Sequence, residues 1–100
     1  MLFALICTDK PGHLQVRMDN RPAHLAFLEG LGDAMKGAGP FLGSDDKPNG
    51  SLVLIEAADQ AAATAIAAQD PYAKADLFQN VDIRPWNWVL KNALEAKAGA

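Results

Sequence analysis

An α+β fold, a ferredoxin-like β-α-β-β-α-β sandwich with an antiparallel sheet, is predicted for this chain by two observations. Strand-like apolar runs alternate with helical stretches in that order. Two of the strands, Leu2-Phe3-Ala4-Leu5-Ile6 and Leu52-Val53-Leu54-Ile55, are apolar at every position, so both of their faces need burial. The two helices of such a unit cover one face of the sheet only. A second copy of the chain, packed sheet against sheet, covers the other, and the expected assembly is a homodimer with the form of a dimeric α/β barrel.

The elements follow from local chemistry. Leu2 to Thr8 reads as the first strand and Pro11 to Gln15 as a turn or short helical lead-in. A helix is expected from Arg21 to Lys36, with Asn20 as its N-cap and Pro22 in its first turn. Gly37, Gly39 and Pro40 end it, and Ala38 to Leu42 is a short strand whose Gly and Pro content places it at an edge. Gly43 to Asn49 is polar loop, and Asn49-Gly50 reads as a turn that opens the strand Ser51 to Glu56. Asp59 caps a helix over Gln60 to Ala68, whose alanines allow close packing on a sheet. Asp70-Pro71 starts a short helix through Leu77. The last strand runs from about Asn80 to Leu90, with a bend near Pro85 where the large residues change parity. Residues 1–90 therefore form one domain, and 91–100 is a tail rich in Ala and Lys.

Composition narrows the function. Half of the 100 residues are hydrophobic, which marks a folded chain with room for one modest core. The net charge is -3 and the nine Lys and Arg are scattered, so the basic stripe that nucleic acid requires is missing. Cys7 stands alone inside an apolar run, which reads as a buried small hydrophobe and excludes an internal disulfide framework. The first apolar run has no basic leader and is too short for a signal segment, so the cytoplasm is the expected compartment and no membrane partner is expected. His13 and His24 stand on different elements with no Cys or carboxylate cluster beside them, so no metal site is expected. A cofactor motif is missing too.

His24 is the residue that stands out. In the expected helix Leu28, Leu31 and Met35 lie within about 40° of it, which places an imidazole in the middle of an apolar stripe. A polar ring there needs a hydrogen-bond partner. That partner is either backbone, as for an ordinary core histidine, or a side chain, and Asp70 is the favoured side chain. Asp70 also serves as N-cap of the helix begun by Pro71. The two roles are compatible, since a carboxylate held by helix amides can fix the imidazole tautomer and leave the other ring nitrogen to act as base or acid. Arg21, within a turn of His24, is a candidate for holding an anionic substrate, and Arg17 is a weaker one. Gly39 and Pro40 offer close backbone approach to a ligand, and Tyr72 an aromatic wall with a hydroxyl donor. Ser44 and Ser51 lack the setting of a nucleophile.

Several segments taken together resemble the YCII-related, or YciI-like, family. They are Arg21-Pro22-Ala23-His24-Leu25, Ala38-Gly39-Pro40, Gly50-Ser51 with the strand to Glu56, Asp70-Pro71-Tyr72, and Val81-Asp82-Ile83-Arg84-Pro85-Trp86. The chain departs from the family's pattern at Met35-Lys36-Gly37 and at Asp76. The resemblance implies a dimeric ferredoxin-like fold with an active site on a His and an Asp, here His24 and Asp70. Most members of that family have no assigned reaction, and one branch performs dehydrochlorination of a chlorinated hydroxyhydroquinone. The expected function is cofactor-independent acid/base catalysis of lyase or isomerase type on a small anionic or phenolic molecule. The alternative is a non-catalytic small-ligand-binding domain with the same dimeric pocket.

Overall fold

The structure, a computed structural model, describes residues 1–91. From residue 92 onward the expected tail lies outside the described residues. The chain runs through β1 (Leu2–Asp9), α1 (Leu14–Gly30), a 3-10 turn (Gly32–Ala34), β2 (Met35–Leu42), β3 (Pro48–Glu56), α2 (Gln60–Ala68), α3 (Pro71–Lys74) and β4 (Phe78–Pro85). The strands form one four-stranded sheet in the order β2-β3-β1-β4, with every neighbouring pair antiparallel. This is the α+β, ferredoxin-like plan. The two continuously apolar strands are its two central strands.

Alternation splits the sheet into two unlike faces. Phe3, Leu5 and Cys7 of β1 and Val53 and Ile55 of β3 point to one side, where Leu28 of α1 and Ala63 of α2 close over them as the core. Ile55 and Ala63 are fully buried. Burial of one such aliphatic side chain contributes roughly 1.5–3 kcal/mol, so this layer carries most of the stability. On the other face lie Ile6, Leu52 and Leu54, half-buried. By strand register Phe41 and Trp86 share that side, and among the described residues no helix covers it.

The first helix differs most from expectation. α1 starts at Leu14, not Arg21, and runs through Pro22 to Gly30. Asn20 is therefore no N-cap; its side-chain Nδ2 donates to the Val16 carbonyl one turn back at 2.8 Å. A proline inside a helix costs about 3 kcal/mol. The compensation is tertiary: Arg17, His24 and Leu28 are all buried, and their spacing puts them on one face of the longer helix. At its far end the helix stops before Lys36. Gly32, with φ of +60°, turns the chain so that Leu31 packs on the core and Met35 already belongs to β2.

The hairpin also differs. β3 begins at Pro48, and Asn49-Gly50 lies within it instead of forming the turn. The reversal sits at Gly43 to Lys47, closed by the Gly43 amide donating to the Lys47 carbonyl at 2.9 Å, with Asp46 in the left-handed region at φ 63°. Gly50 is needed for another reason, since a Cβ there would stand 2.5 Å from the Cys7 carbonyl oxygen. Both departures from the family pattern fall on irregularities. The β2–β3 register shifts between Met35 and Gly37, and Asp76 has φ of 59° and is ion-paired with Lys10 at 2.6 Å. α2 matches its expected span, with the Asp59 carboxylate accepting from the Ala62 amide at 2.8 Å. α3 is shorter than expected and ends at Lys74. β4 spans Phe78 to Pro85 and does not reach Leu90; its ladder partner β1 begins at Leu2. Trp86 still donates its amide to the Leu2 carbonyl at 2.9 Å.

Candidate active site

α1 and α3 bring His24 and Asp70 together although they are far apart in sequence. Asp70 is the N-cap of α3, its carboxylate accepting from the Tyr72 amide at 2.9 Å. The same carboxylate lies 2.9 Å (Oδ1) and 3.1 Å (Oδ2) from His24 Nδ1. Both side chains are only 8% exposed. An ionised carboxylate can only accept, so Nδ1 carries the proton it donates. In the neutral imidazole Nε2 is then unprotonated and available as a base.

Tyr72 forms the floor. Its ring stacks on the imidazole with centroids 3.9 Å apart and planes 14° apart, and it meets Phe78 edge-on at 6.1 Å. Burial pushes the phenol's pKa up, against the pull of the neighbouring guanidinium of Arg17, so the hydroxyl keeps its proton and remains a donor. Backing the ring, Arg17 places its guanidinium carbon 4.6 Å from the Tyr72 centroid.

Arg17 is far more central than the sequence suggested. It grips Asp9 in a bidentate pair, Nε to Oδ2 at 2.7 Å and Nη2 to Oδ1 at 2.9 Å, and also donates from Nη2 to Ser51 Oγ at 2.9 Å. Burial opposes its charge, but the Asp9 carboxylate outweighs that and the pKa is raised. Neither Asp9 nor Ser51 was a candidate. The available signal was spacing: once the helix begins at Leu14, Arg17, Arg21, His24 and Leu28 follow at helical intervals on one stripe.

A cavity of about 320 Å³ opens over this assembly. His24, Tyr72, Arg17, Arg21 and Ser51 line it together with apolar wall from Leu25, Leu28, Pro40 and Pro48. Asp70 is not in the wall but stands behind the imidazole. Arg21 is exposed at the rim, with no ion-pair partner among the described residues. Gly39 and Pro40 contribute β2 to the far wall. Pro40 pairs in register with Ser51 and Gly39 with Leu52, so Gly39 offers backbone only, and a Cβ there would meet nothing within 4 Å. Among the described residues no three His, Cys, Asp or Glu side chains gather as a metal site, and no helix is long and apolar enough to cross a membrane.

Fold and site together define a small ferredoxin-like α+β protein with a carboxylate-backed histidine in a ligand-sized pocket. The YCII-related domain family matches residues 1–87, and the chain belongs to that family. It is 35% identical over 97 residues to protein YciI of Escherichia coli O6:H1, covering 89% of this chain and 99% of that protein. An uncharacterized protein of Haemophilus influenzae is 32% identical over the same shares. Among solved structures, it is similar to 5-chloro-2-hydroxyhydroquinone dehydrochlorinase of Burkholderia phenoliruptrix in complex with 2,5-dihydroxybenzoquinone. That match has a TM-score of 0.82 and 38% identity, and covers 87% of this chain and 94% of the other. An antibiotic biosynthesis monooxygenase, at TM-score 0.56 and 14% identity over 90% of this chain and all of that one, shares the fold.

Proposed function

We propose that the protein is a cofactor-independent acid/base catalyst of lyase or isomerase type, acting on a small anionic or phenolic substrate. One observation carries this reading: a buried imidazole whose Nδ1 is committed to Asp70 lines a pocket of about 320 Å³. In this reading His24 Nε2 takes a proton from the substrate. The electron pair left behind either expels a leaving group as an anion or waits while the same proton returns at another atom. Asp70 holds the tautomer and stabilises the imidazolium. Arg21 at the rim holds an anionic group, Tyr72 supplies a wall and a hydroxyl donor, and Gly39 and Pro40 shape the opposite side. The dehydrochlorinase with its bound dihydroxybenzoquinone supports an elimination and a phenolic or enolic substrate.

The reading includes a homodimer in the cytoplasm. Ile6, Leu52, Leu54, Phe41 and Trp86 on the uncovered sheet face are the surface a second copy would bury, giving the dimeric α/β barrel. Sedimentation is expected to report about twice the chain's 10.6 kDa, and a stable monomer at micromolar concentration would refute the dimer.

Turnover tests the central role. Small phenols, chlorinated hydroquinones and lactones are screened for conversion with the parent protein and with His24→Gln, which keeps hydrogen-bonding capacity but shuttles no proton near neutrality. Activity is expected to fall by about 10²–10⁴ while folding persists. Parental turnover in His24→Gln would remove His24 from the mechanism. A parent that binds these molecules and converts none of them would establish a binding domain instead.

A further inference from the structure

Ser51 has a hydroxyl with one unspent proton. It sits in β3, 2% exposed, on the side of the sheet that faces the pocket, and it forms part of the pocket wall. Its oxygen accepts from Arg17 Nη2 at 2.9 Å. Among the described residues that is its one hydrogen bond, although a hydroxyl can both accept and donate. Arg17 itself cannot leave this arrangement for a ligand. Nε and Nη2 are both engaged by Asp9, and withdrawing the guanidinium would strand a carboxylate that is 6% exposed, a loss no small ligand readily offsets. The cation therefore stays fixed beside the pocket, where it polarises the Ser51 hydroxyl.

We infer that Ser51 is the hydrogen-bond donor to a substrate oxygen, facing the proton acceptor His24 across the pocket. The inference rests on the acid/base reading above and specifies the substrate as one whose acidic proton is conjugated to an oxygen, that is, an enol, phenol or ketone. When the proton passes to His24 Nε2, the electron pair moves onto that oxygen. The Ser51 hydrogen bond strengthens as the oxygen becomes negative, because hydrogen bonds to charged acceptors are about twice as strong as neutral ones. No covalent bond to Ser51 forms, and Arg17 and Asp9 are positioning residues that fix which way the hydroxyl proton points.

The test uses 4-nitrophenolate, with the buffer held well above the phenol's own pKa, and its uncharged isostere 4-nitroanisole. Ser51→Ala is expected to bind the phenolate about tenfold or more weakly than the parent and the anisole equally well. The bound phenolate's absorption is expected to move to longer wavelength, as it does when hydrogen-bond donors are withdrawn. Ser51→Thr, which keeps the hydroxyl, is expected to restore both the affinity and the spectrum, which a merely structural role for residue 51 would not do. Equal phenolate affinity and an unchanged bound spectrum in Ser51→Ala would overturn the inference and leave the role of His24 standing. Parallel losses for phenolate and anisole, or a parent protein that does not bind the phenolate, would overturn it too. The His24→Gln turnover comparison judges the acid/base reading separately.

Discussion

Asp9 and Asp70 are both buried carboxylates, each paired with a nitrogen base on α1, and both bases lie against the ring of Tyr72. Their partners divide their roles. Asp9 meets a guanidinium, which stays charged at any pH the fold survives, in a two-point grip. Asp70 meets an imidazole and holds it by one ring nitrogen, while the helix amide of Tyr72 holds the carboxylate. The first pair is a fixed charge arrangement that anchors α1 to β1 and β3. The second is equipped to move a proton. The two carboxylates are thus similarly buried but differently partnered, one by a permanent cation and the other by a ring that can exist neutral or protonated.

The sharpest way to break the contrast is to remove the fixed pair. Arg17→Met strands Asp9 in the interior, and the expected loss is about 3–5 kcal/mol of unfolding free energy, read from urea denaturation. Adding Asp9→Leu to the same protein should recover much of it, because a well-packed apolar pair avoids the desolvation that the ion pair must overcome. A loss below about 1 kcal/mol in Arg17→Met would mean that Asp9 reaches water and that the pair does not anchor the helix.

The second pair should respond in the opposite manner. Asp70→Asn keeps an oxygen that can cap α3 and accept from Nδ1, so the stability change is expected to stay within about 1 kcal/mol. The imidazolium loses its counter-charge, and turnover is expected to fall by about 10²–10⁴. If Asp70→Asn unfolds the protein while leaving the activity of the folded fraction intact, Asp70 is a structural residue and the division of labour collapses.

The two pairs were also unequally legible in the sequence. His24 stood out as an imidazole on an apolar stripe, and Asp70 carries its own cap signature before Pro71, so each announces itself locally. The continuous apolarity of β1 and β3 likewise marks them as strands, and the β-α-β-β-α-β order places them at the centre of the sheet. Arg17 announces nothing of the kind. Its partners Asp9 and Ser51 come from two different strands, and the helix that presents it begins at Leu14 after His13, which makes no side-chain cap. Asn20 and Pro22 together imitate a helix start, and only long-range burial decides against them. Gly50 misleads similarly, since Asn49-Gly50 is a turn dipeptide whose glycine is needed for the close passage of the Cys7 carbonyl.

A smaller effect sharpens the comparison from a group that touches both regions electrostatically. Burial first, and the Asp70 charge second, push the Cys7 thiol up to about 12, with Arg17 acting in the opposite direction. A thiol whose folded pKa is raised favours the fold fully below its unfolded value, and that contribution is lost as pH rises from there towards about 12. Urea midpoints are therefore expected to decline over that alkaline window, and the decline should be shallower in Cys7→Ala, which has no thiol to titrate. At neutral pH, disulfide reagents should label Cys7 only as fast as the protein opens; rapid labelling of the native protein would contradict its burial.

The role of His24 as a base is tested most directly by its tautomer, read from long-range proton–nitrogen NMR correlations of the uniformly labelled protein at a pH where the ring is neutral. A protonated Nδ1 held by Asp70 and an unprotonated Nε2 open to the pocket are expected. A proton found on Nε2, with Nδ1 bare, would mean that Asp70 does not accept from the ring, and His24 would lose its standing as the base.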